Sequence, residues 1–271
     1  MNVKRQFFIL STGRAGSKML AKSLARHPQV FAIHEPLPHL NAEAFAYWNG
    51  HLTEKKIKKS VDNKRSKLVK QVSNNRTVYI ESSHYCSYLA PILDELYNSK
   101  FIFLYRDGRN FVRSGLEREN WYPEKAFKHP KNGFGEILRR QIRRRFLIDV
   151  GYSWDDHQLI PPKMYTSRME KISWLWNEIN SEIFEFLATL PADKHMFQKL
   201  ENLNRDAFKE IVSFIDVESS DKILDDMISV STSGVNKTVD RRVPKFDNWP
   251  TTDREKFWKI SGNMMEKLGY V

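Results

Sequence analysis

The sequence predicts an α/β protein: a single domain over residues 1–271 with a central parallel sheet flanked by helices. Three observations carry this. Short apolar runs recur at 7–10, 30–33 and within 100–105, with a β-branched and aromatic one at 77–81, the pattern of strands in a buried parallel sheet. Segments of helical periodicity separate them, as in βαβ units. Each run ends in polar residues, which is where parallel sheets usually hold their ligands.

The first unit is the most informative. Phe7 to Leu10 forms a strand, Ser11 to Ser17 a turn with two glycines, and Leu20, Leu24 and His27 recur at helical spacing until Pro28. Such a strand–turn–helix points several backbone N–H groups at one place. The helix dipole favours an anion there, and Arg14 and Lys18 add positive charge. The turn is P-loop-like without being a Walker A motif, G-x-x-x-x-G-K-[ST]. Gly13 and Gly16 are only three apart, and Met19 stands where Ser or Thr is required.

Val30 to Ile33 is the second strand and ends in His34-Glu35-Pro36, which sets an imidazole and a carboxylate at a strand end. Residues 37–76 read as a helical excursion. Its basic stretch from Lys55 to Lys70 reads as a solvated face that could border an acceptor site. Thr77 to Glu81 is a strand followed by Ser82, Ser83 and His84, with a helix from Pro91 to Asn98. Lys100 to Tyr105 is a further strand, followed by Arg106-Asp107-Gly108-Arg109 and a helix to Arg118. Ser114 lies eight positions beyond Arg106, about two helical turns on.

A second excursion, 119–168, carries Trp121, Tyr122, Trp154 and the arginine-rich run 139–146. From Lys171 to Leu190 an amphipathic helix puts Ile172, Leu175, Trp176, Ile179, Ile183, Phe184 and Leu187 on one stripe. His195 to Leu200 is a last strand, Asn204 to Ile215 a helix, and the tail from Ser229 is polar and basic up to a terminal helix, Glu255 to Leu268.

Composition sets outer bounds. At 41% apolar residues the chain is globular rather than disordered. Its longest apolar runs fall far short of a membrane span of roughly 20 residues. Cys86 is the sole cysteine, which excludes disulfide frameworks and cysteine-based zinc sites. A cytoplasmic location is the expectation. The net charge of +11 suits an anionic ligand and equally a lysine-rich surface.

Together these pieces resemble the sulfotransferases that use 3′-phosphoadenosine 5′-phosphosulfate (PAPS). STGRAGSKML is similar to the family's 5′-phosphosulfate loop, written around PKSGTT or, in bacterial members, GRSGTT. Arg14 then holds the position of the loop lysine. The resemblance implies donor binding by Thr12, Gly13, Arg14, Ala15, Gly16, Ser17, Lys18 and Met19. YRDGRNFVRS resembles the 3′-phosphate signature, matched at Arg106 and Ser114. FQKLENLNRDAFKEIVSFIDV is similar to the family's YEDL…FLGL segment, with Gln198 where tyrosine is often found, and MMEKLGY to its usual ending.

The resemblance implies sulfuryl transfer to a hydroxyl or amine, with PAP, 3′-phosphoadenosine 5′-phosphate, as product and no metal. Positioning and electrostatics would carry most of the catalysis. Arg14 or Lys18 would stabilise charge on the departing bridge oxygen. Two residues compete as general base. Glu35, in HEP, resembles the glutamate of some branches and is the preferred one. His84, in ESSH, matches the histidine of cytosolic members, with Ser82 in place of the family lysine. Lys237, Arg241, Arg242 and Lys245 lie where the family's C-terminal loop covers the nucleotide.

The partner implied is a small-molecule or carbohydrate acceptor, with no nucleic acid. Tyr47, Trp48, Trp121, Tyr122 and Trp154 are aromatic candidates to stack on it. Two other readings compete. An ATP-using P-loop kinase would need the missing G-K-[ST] and a magnesium-binding carboxylate. A basic nucleic-acid binder would use 139–146.

Overall fold

A computed structural model describes residues 5–71, 76–118, 121–122, 159, 161–232 and 242–271. The segments carrying Trp154, the arginine-rich run 139–146, Lys237 and Arg241 lie outside the described residues. The chain gathers into two compact units, interleaved in sequence. The first takes Met1–Leu40, Glu54–Arg106 and Ile179–Val239; the second takes Asn41–Thr53, Asp107–Glu178 and Asp240–Val271.

The first unit holds a five-stranded, wholly parallel sheet. Its strands are β1 (Arg5–Leu10), β2 (Val30–His34), β3 (Val78–Ser82), β4 (Lys100–Tyr105) and β5 (His195–Lys199), in the spatial order β2-β3-β1-β4-β5. The α/β class with a central parallel sheet is as the sequence predicts.

The apolar runs are continuous because helices cover both faces. On one face Phe7, Ile9, Val30, Ile80, Ile102 and Leu104 pack with Leu20 and Leu24 of α1 (Ser17–Leu24). The same core takes in Phe208 and Ile211, and Leu224 and Met227 from two later helices. On the other face Phe8 meets Tyr79, Tyr97 and Phe101, each ring centroid at 6.4 Å, and Phe101 meets Phe186 at 5.3 Å. This alternation along β1 is the period of two that a strand imposes.

The chain leaves β1 towards β2 on one side, and β4 lies on the other. The sheet therefore has its switch point at β1, and the crevice beyond the strand ends there is where such sheets bind ligands.

Helix α2 (Asn41–Trp48) belongs to the second unit, while α3 (Glu54–Gln71), α4 (His84–Tyr88) and α5 (Ala90–Tyr97) belong to the first. Along α3, Lys55, Lys56, Lys59 and Lys67 are exposed, as a solvated basic face requires. Arg65 departs from that expectation: it is 1% exposed. It follows Ile57 and Val61 at intervals of four, so it sits on the buried stripe of the helix rather than its basic face.

In the second unit, α6 (Gly108–Leu116) is capped by Asp107, whose Oδ1 accepts from Arg109 N–H at 2.8 Å. Helix α7 (Arg168–Ala188) begins in this unit and ends in the first. It starts three residues before the sequence pattern suggests, because Ser167 and Glu170 form a reciprocal capping box. Ser167 N–H donates to Glu170 Oε2 at 2.8 Å, and Glu170 N–H donates to Ser167 Oγ at 3.2 Å. These bonds hold the buried Glu170 carboxyl at about 2 against its burial, with help from Lys256.

Helices α8 (Arg205–Phe214) and α9 (Asp221–Thr232) follow in the first unit. The sequence reading treats 229 onward as polar tail, yet Ser229 lies inside α9, whose Leu224 and Met227 reach the core. The terminal helix α10 (Thr251–Lys267) completes the second unit. Among the described residues no helix is long and apolar enough to cross a membrane.

Candidate active site

The ends of four strands, β1 to β4, bring the sequence-predicted residues of the first unit to the carboxyl edge of the sheet. The loop after β1 is built by backbone conformation. Gly13, Arg14 and Gly16 have φ of 72°, 48° and 85°, so three of four consecutive residues are left-handed. Glycine takes this conformation without strain, and Arg14 takes it at a cost. A Cβ on Gly16 would also meet Leu200 Cδ1 at 2.6 Å.

The base of the loop is pinned by two serines. Ser87 Oγ accepts from Ser11 N–H and donates to Ser11 O, both at 2.9 Å, and Ser11 Oγ accepts from Gly13 N–H at 3.3 Å. Gly16 caps α1 and has no side chain to accept from the first-turn N–H groups of α1. Ser17 is buried, and Lys18 is exposed on the first turn. This set fits an anion such as a phosphosulfate: N–H donors, a positive dipole end and two cationic side chains.

Arg106, directly after β4, reaches the same loop. Its Nη1 donates to Arg14 O at 3.1 Å, so the β4 end and the loop are joined across the switch point. Ser114 lies on α6, in the second unit. Lys245 is exposed in the same unit, just after a segment fixed at Val243, whose N–H donates to Glu117 Oε1 and whose carbonyl accepts from Arg113 Nε, both at 2.8 Å.

The two candidate bases meet. β2 and β3 pair with His34 opposite Ser82, and the ladder continues as Glu35 N–H donates to Ser82 O at 2.9 Å. Glu35 has φ 49°, a left-handed turn that brings its carboxylate back over the end of β3. There His84 Nδ1 stands 3.4 Å from Glu35 Oε1. The hydrogen bond from His84 holds the Glu35 carboxyl at about 2, outweighing its partial burial, with the charges of His84, His34 and His39 adding to it. His34 addresses the same oxygen from 3.9 Å, and its Nδ1 lies 3.2 Å from Ser82 Oγ. Burial lowers the His34 pKa, Glu35 raises it, and the nearby Lys18 charge lowers it further. Gly13 faces this pair, since a Cβ there would sit 3.8 Å from His84 Cβ.

Beneath the pair lies a buried polar cluster for which the sequence offers little sign. Glu81, 1% exposed, accepts from Arg65 Nε at 2.8 Å on Oε2 and 3.0 Å on Oε1. It also accepts from the Tyr79 hydroxyl at 2.7 Å and the Tyr85 hydroxyl at 2.8 Å. Arg65 Nη2 donates to Tyr85, and Nη1 donates to Pro38 O at 2.9 Å. Burial and the Glu81 charge push the Tyr79 and Tyr85 hydroxyls and the Cys86 thiol up, so all three keep their protons. The Ser11–Ser87 pin likewise escapes sequence reasoning; the left-handed glycines do not.

Of the aromatic candidates, Tyr47, Trp48, Trp121 and Tyr122 are half-buried in the second unit, where Trp121 packs against Gly115 and the Tyr122 hydroxyl donates to Leu159 O at 2.6 Å. Among the described residues no group of three or more His, Cys, Asp or Glu could hold a metal ion.

The chain is similar over its whole length to a sulfotransferase domain from the curacin biosynthetic pathway, with 16% identity, a TM-score of 0.53 and coverage of 100% of this chain and 99% of that one. A sulfotransferase domain from the Synechococcus PCC 7002 olefin synthase matches with 17% identity, a TM-score of 0.51 and coverage of 97% and 96%. No family model and no curated sequence matches the chain. It has the α/β fold of sulfotransferase domains.

Proposed function

We propose that the protein transfers a sulfuryl group from PAPS to a hydroxyl or amine of an acceptor, with PAP as product. The observation that carries the reading is the joining of the left-handed Gly13–Gly16 loop to Arg106 at the switch point, beside the Glu35–His84 pair. The loop supplies anion-binding N–H groups at a helix start, and Arg106 supplies a guanidinium of the kind that grips a phosphate. PAPS, when bound, supplies an activated sulfuryl group. Arg14, Ser17, Lys18 and the N–H groups of residues 12–19 hold its phosphosulfate end. Arg106 holds the 3′-phosphate, and the spacing in sequence extends that role to Ser114. Lys245, with Lys237 and Arg241, serves the nucleotide from the tail.

The pair has a division of labour. Glu35, held at about 2, is ionised throughout the neutral range and is a weak proton acceptor. By accepting from His84 Nδ1–H it selects the tautomer whose lone pair is on Nε2 and stabilises the imidazolium formed later. The pair then takes the acceptor's proton as the acceptor's oxygen or nitrogen attacks sulfur, and His84 Nε2, buried in this structure, must be uncovered for it to be the receiving atom. Lys18 and Arg14 stabilise charge on the oxygen that leaves. A small-molecule or carbohydrate acceptor and cytoplasmic operation complete the reading.

The test is parallel incubation with PAPS and with ATP plus magnesium against a panel of hydroxyl and amine acceptors. PAP release that depends on acceptor, and that falls by about 10²–10⁴ in His84→Ala without loss of PAP affinity, supports the reading. ADP release from ATP replaces it with a kinase.

A further inference from the structure

The buried Arg65 bonds to the segments that carry the two halves of the Glu35–His84 pair. Its Nη1 donates to Pro38 O, three residues past Glu35, at 2.9 Å. Its Nε grips Glu81 at 2.8 Å and its Nη2 donates to Tyr85, the residue next to His84. One guanidinium thus spans the loop that carries Glu35 and the strand and helix that carry His84. We propose that Arg65 is a positioning residue that holds the Glu35 loop and the His84 helix at hydrogen-bonding distance; its consequence for catalysis rests on the function proposed above.

Stability alone is a poor reason for this arrangement. A buried ion pair costs desolvation that its Coulomb attraction only roughly repays, and apolar groups of the same volume often stabilise as well. What an Arg–Glu pair adds is direction. The planar fork fixes three partners in one plane, which a lysine, a single point charge on a flexible stem, does not. Glu81 in turn has its oxygens filled by Tyr79, Tyr85 and Arg65, so the cluster is satisfied and rigid.

The Glu35 loop needs such an anchor. Glu35 is in a left-handed turn, its side chain is 44% exposed, and Leu37 beyond it is 72% exposed. Apolar burial at Pro36 and Leu40, a second hold from Lys64 to His39 O at 2.8 Å, and the Glu35 N–H bond to Ser82 O are its other ties. His34 Nδ1, 3.2 Å from Ser82 Oγ, adds a side-chain tie to the end of β3. Arg65 is the tie among these that reaches the His84 helix itself, through Tyr85.

The experiment is nuclear magnetic resonance on the full chain, reading the Nδ1–H proton of His84 and the side-chain carboxyl carbon of Glu35. In the unsubstituted chain the imidazole proton is expected far downfield and slow to exchange, and to vanish in Glu35→Gln. The Glu35 carbon is expected to stay flat on acidification to well below the ordinary carboxylate range. Arg65→Lys keeps a positive charge opposite Glu81 but loses the fork. There the downfield proton should be lost, and the Glu35 midpoint should rise by roughly one pH unit as its hydrogen bond fails.

Tyr85→Phe removes one hydroxyl and leaves the ion pair. It should move both signals the same way by less, and it decides the matter alone where Arg65→Lys does not fold. Signals unchanged in the folded variants overturn the inference and leave Arg65 a structural residue. Absence of the downfield proton in the unsubstituted chain overturns the pair itself. PAP affinity is measured on the same samples. A chain that binds no PAP but shows the coupling loses the sulfotransferase reading and keeps this one.

Discussion

The loop after β1 and the loop after β2 lie at one edge of the sheet, with the end of β3 between them, and are held by different means. The first is shaped by its own backbone, with left-handed φ at Gly13, Arg14 and Gly16, and takes outside ties only from Ser87 at its base and Arg106 at the Arg14 carbonyl. The second is fixed from outside, by Arg65 and Lys64 of α3 gripping the carbonyls of Pro38 and His39. A loop that offers N–H groups to an anion keeps its donors by spending conformation rather than side chains. A loop that must aim one carboxylate is aimed by charge.

That contrast is open to direct attack. Glu81→Leu leaves Arg65 buried without its carboxylate and should cost about 3–5 kcal/mol in urea unfolding, the largest single effect expected. Ser87→Ala strikes the other loop, stranding Ser11 N–H, and should cost about 1–3 kcal/mol while weakening PAP binding. Arg106→Ala removes a charged donor from the anion site and its tie to Arg14 O. Affinity for PAP should fall by about tenfold to a hundredfold, measured by calorimetry, with the melting temperature little changed.

The smallest effect is a control away from both loops. Glu170→Gln weakens the capping box of α7 and should cost about 1 kcal/mol at neutral pH. Its carboxyl lies at about 2 in the folded protein against 4.5 ordinarily, so the folded state binds fewer protons. The stabilisation is therefore complete above pH 4.5 and lost as pH falls towards 2. Equilibrium unfolding across that window should show the unsubstituted chain and the variant converging in acid.

What was legible in the sequence follows the same division. A loop held by its own backbone advertises itself, because only glycine takes the left-handed turns cheaply, so Gly13, Gly16 and the strand before them marked the site. The end of β4 was equally plain, since a continuous apolar run stops at Arg106. The pairing of Glu35 with His84 was not, because it depends on β2 lying next to β3 with His34 opposite Ser82, and register is a tertiary fact. Arg65 was hidden among lysines of α3. Its interval of four from Ile57 and Val61 was the one available signal, and a cation on an apolar stripe needs a buried carboxylate to explain it. Helix α9 was missed where its apolar residues, Leu224 and Met227, stand among aspartates and serines.

The central claim is that the joined loop and Arg106 form a site for a nucleotide bearing a 3′-phosphate. Its most direct test is calorimetric titration with PAP against ADP and AMP, with and without magnesium. The account predicts magnesium-independent binding of PAP in preference to both, weakened in Arg14→Ala and, by about tenfold to a hundredfold, in Arg106→Ala. Equal or tighter binding of ADP, or a requirement for magnesium, would contradict it.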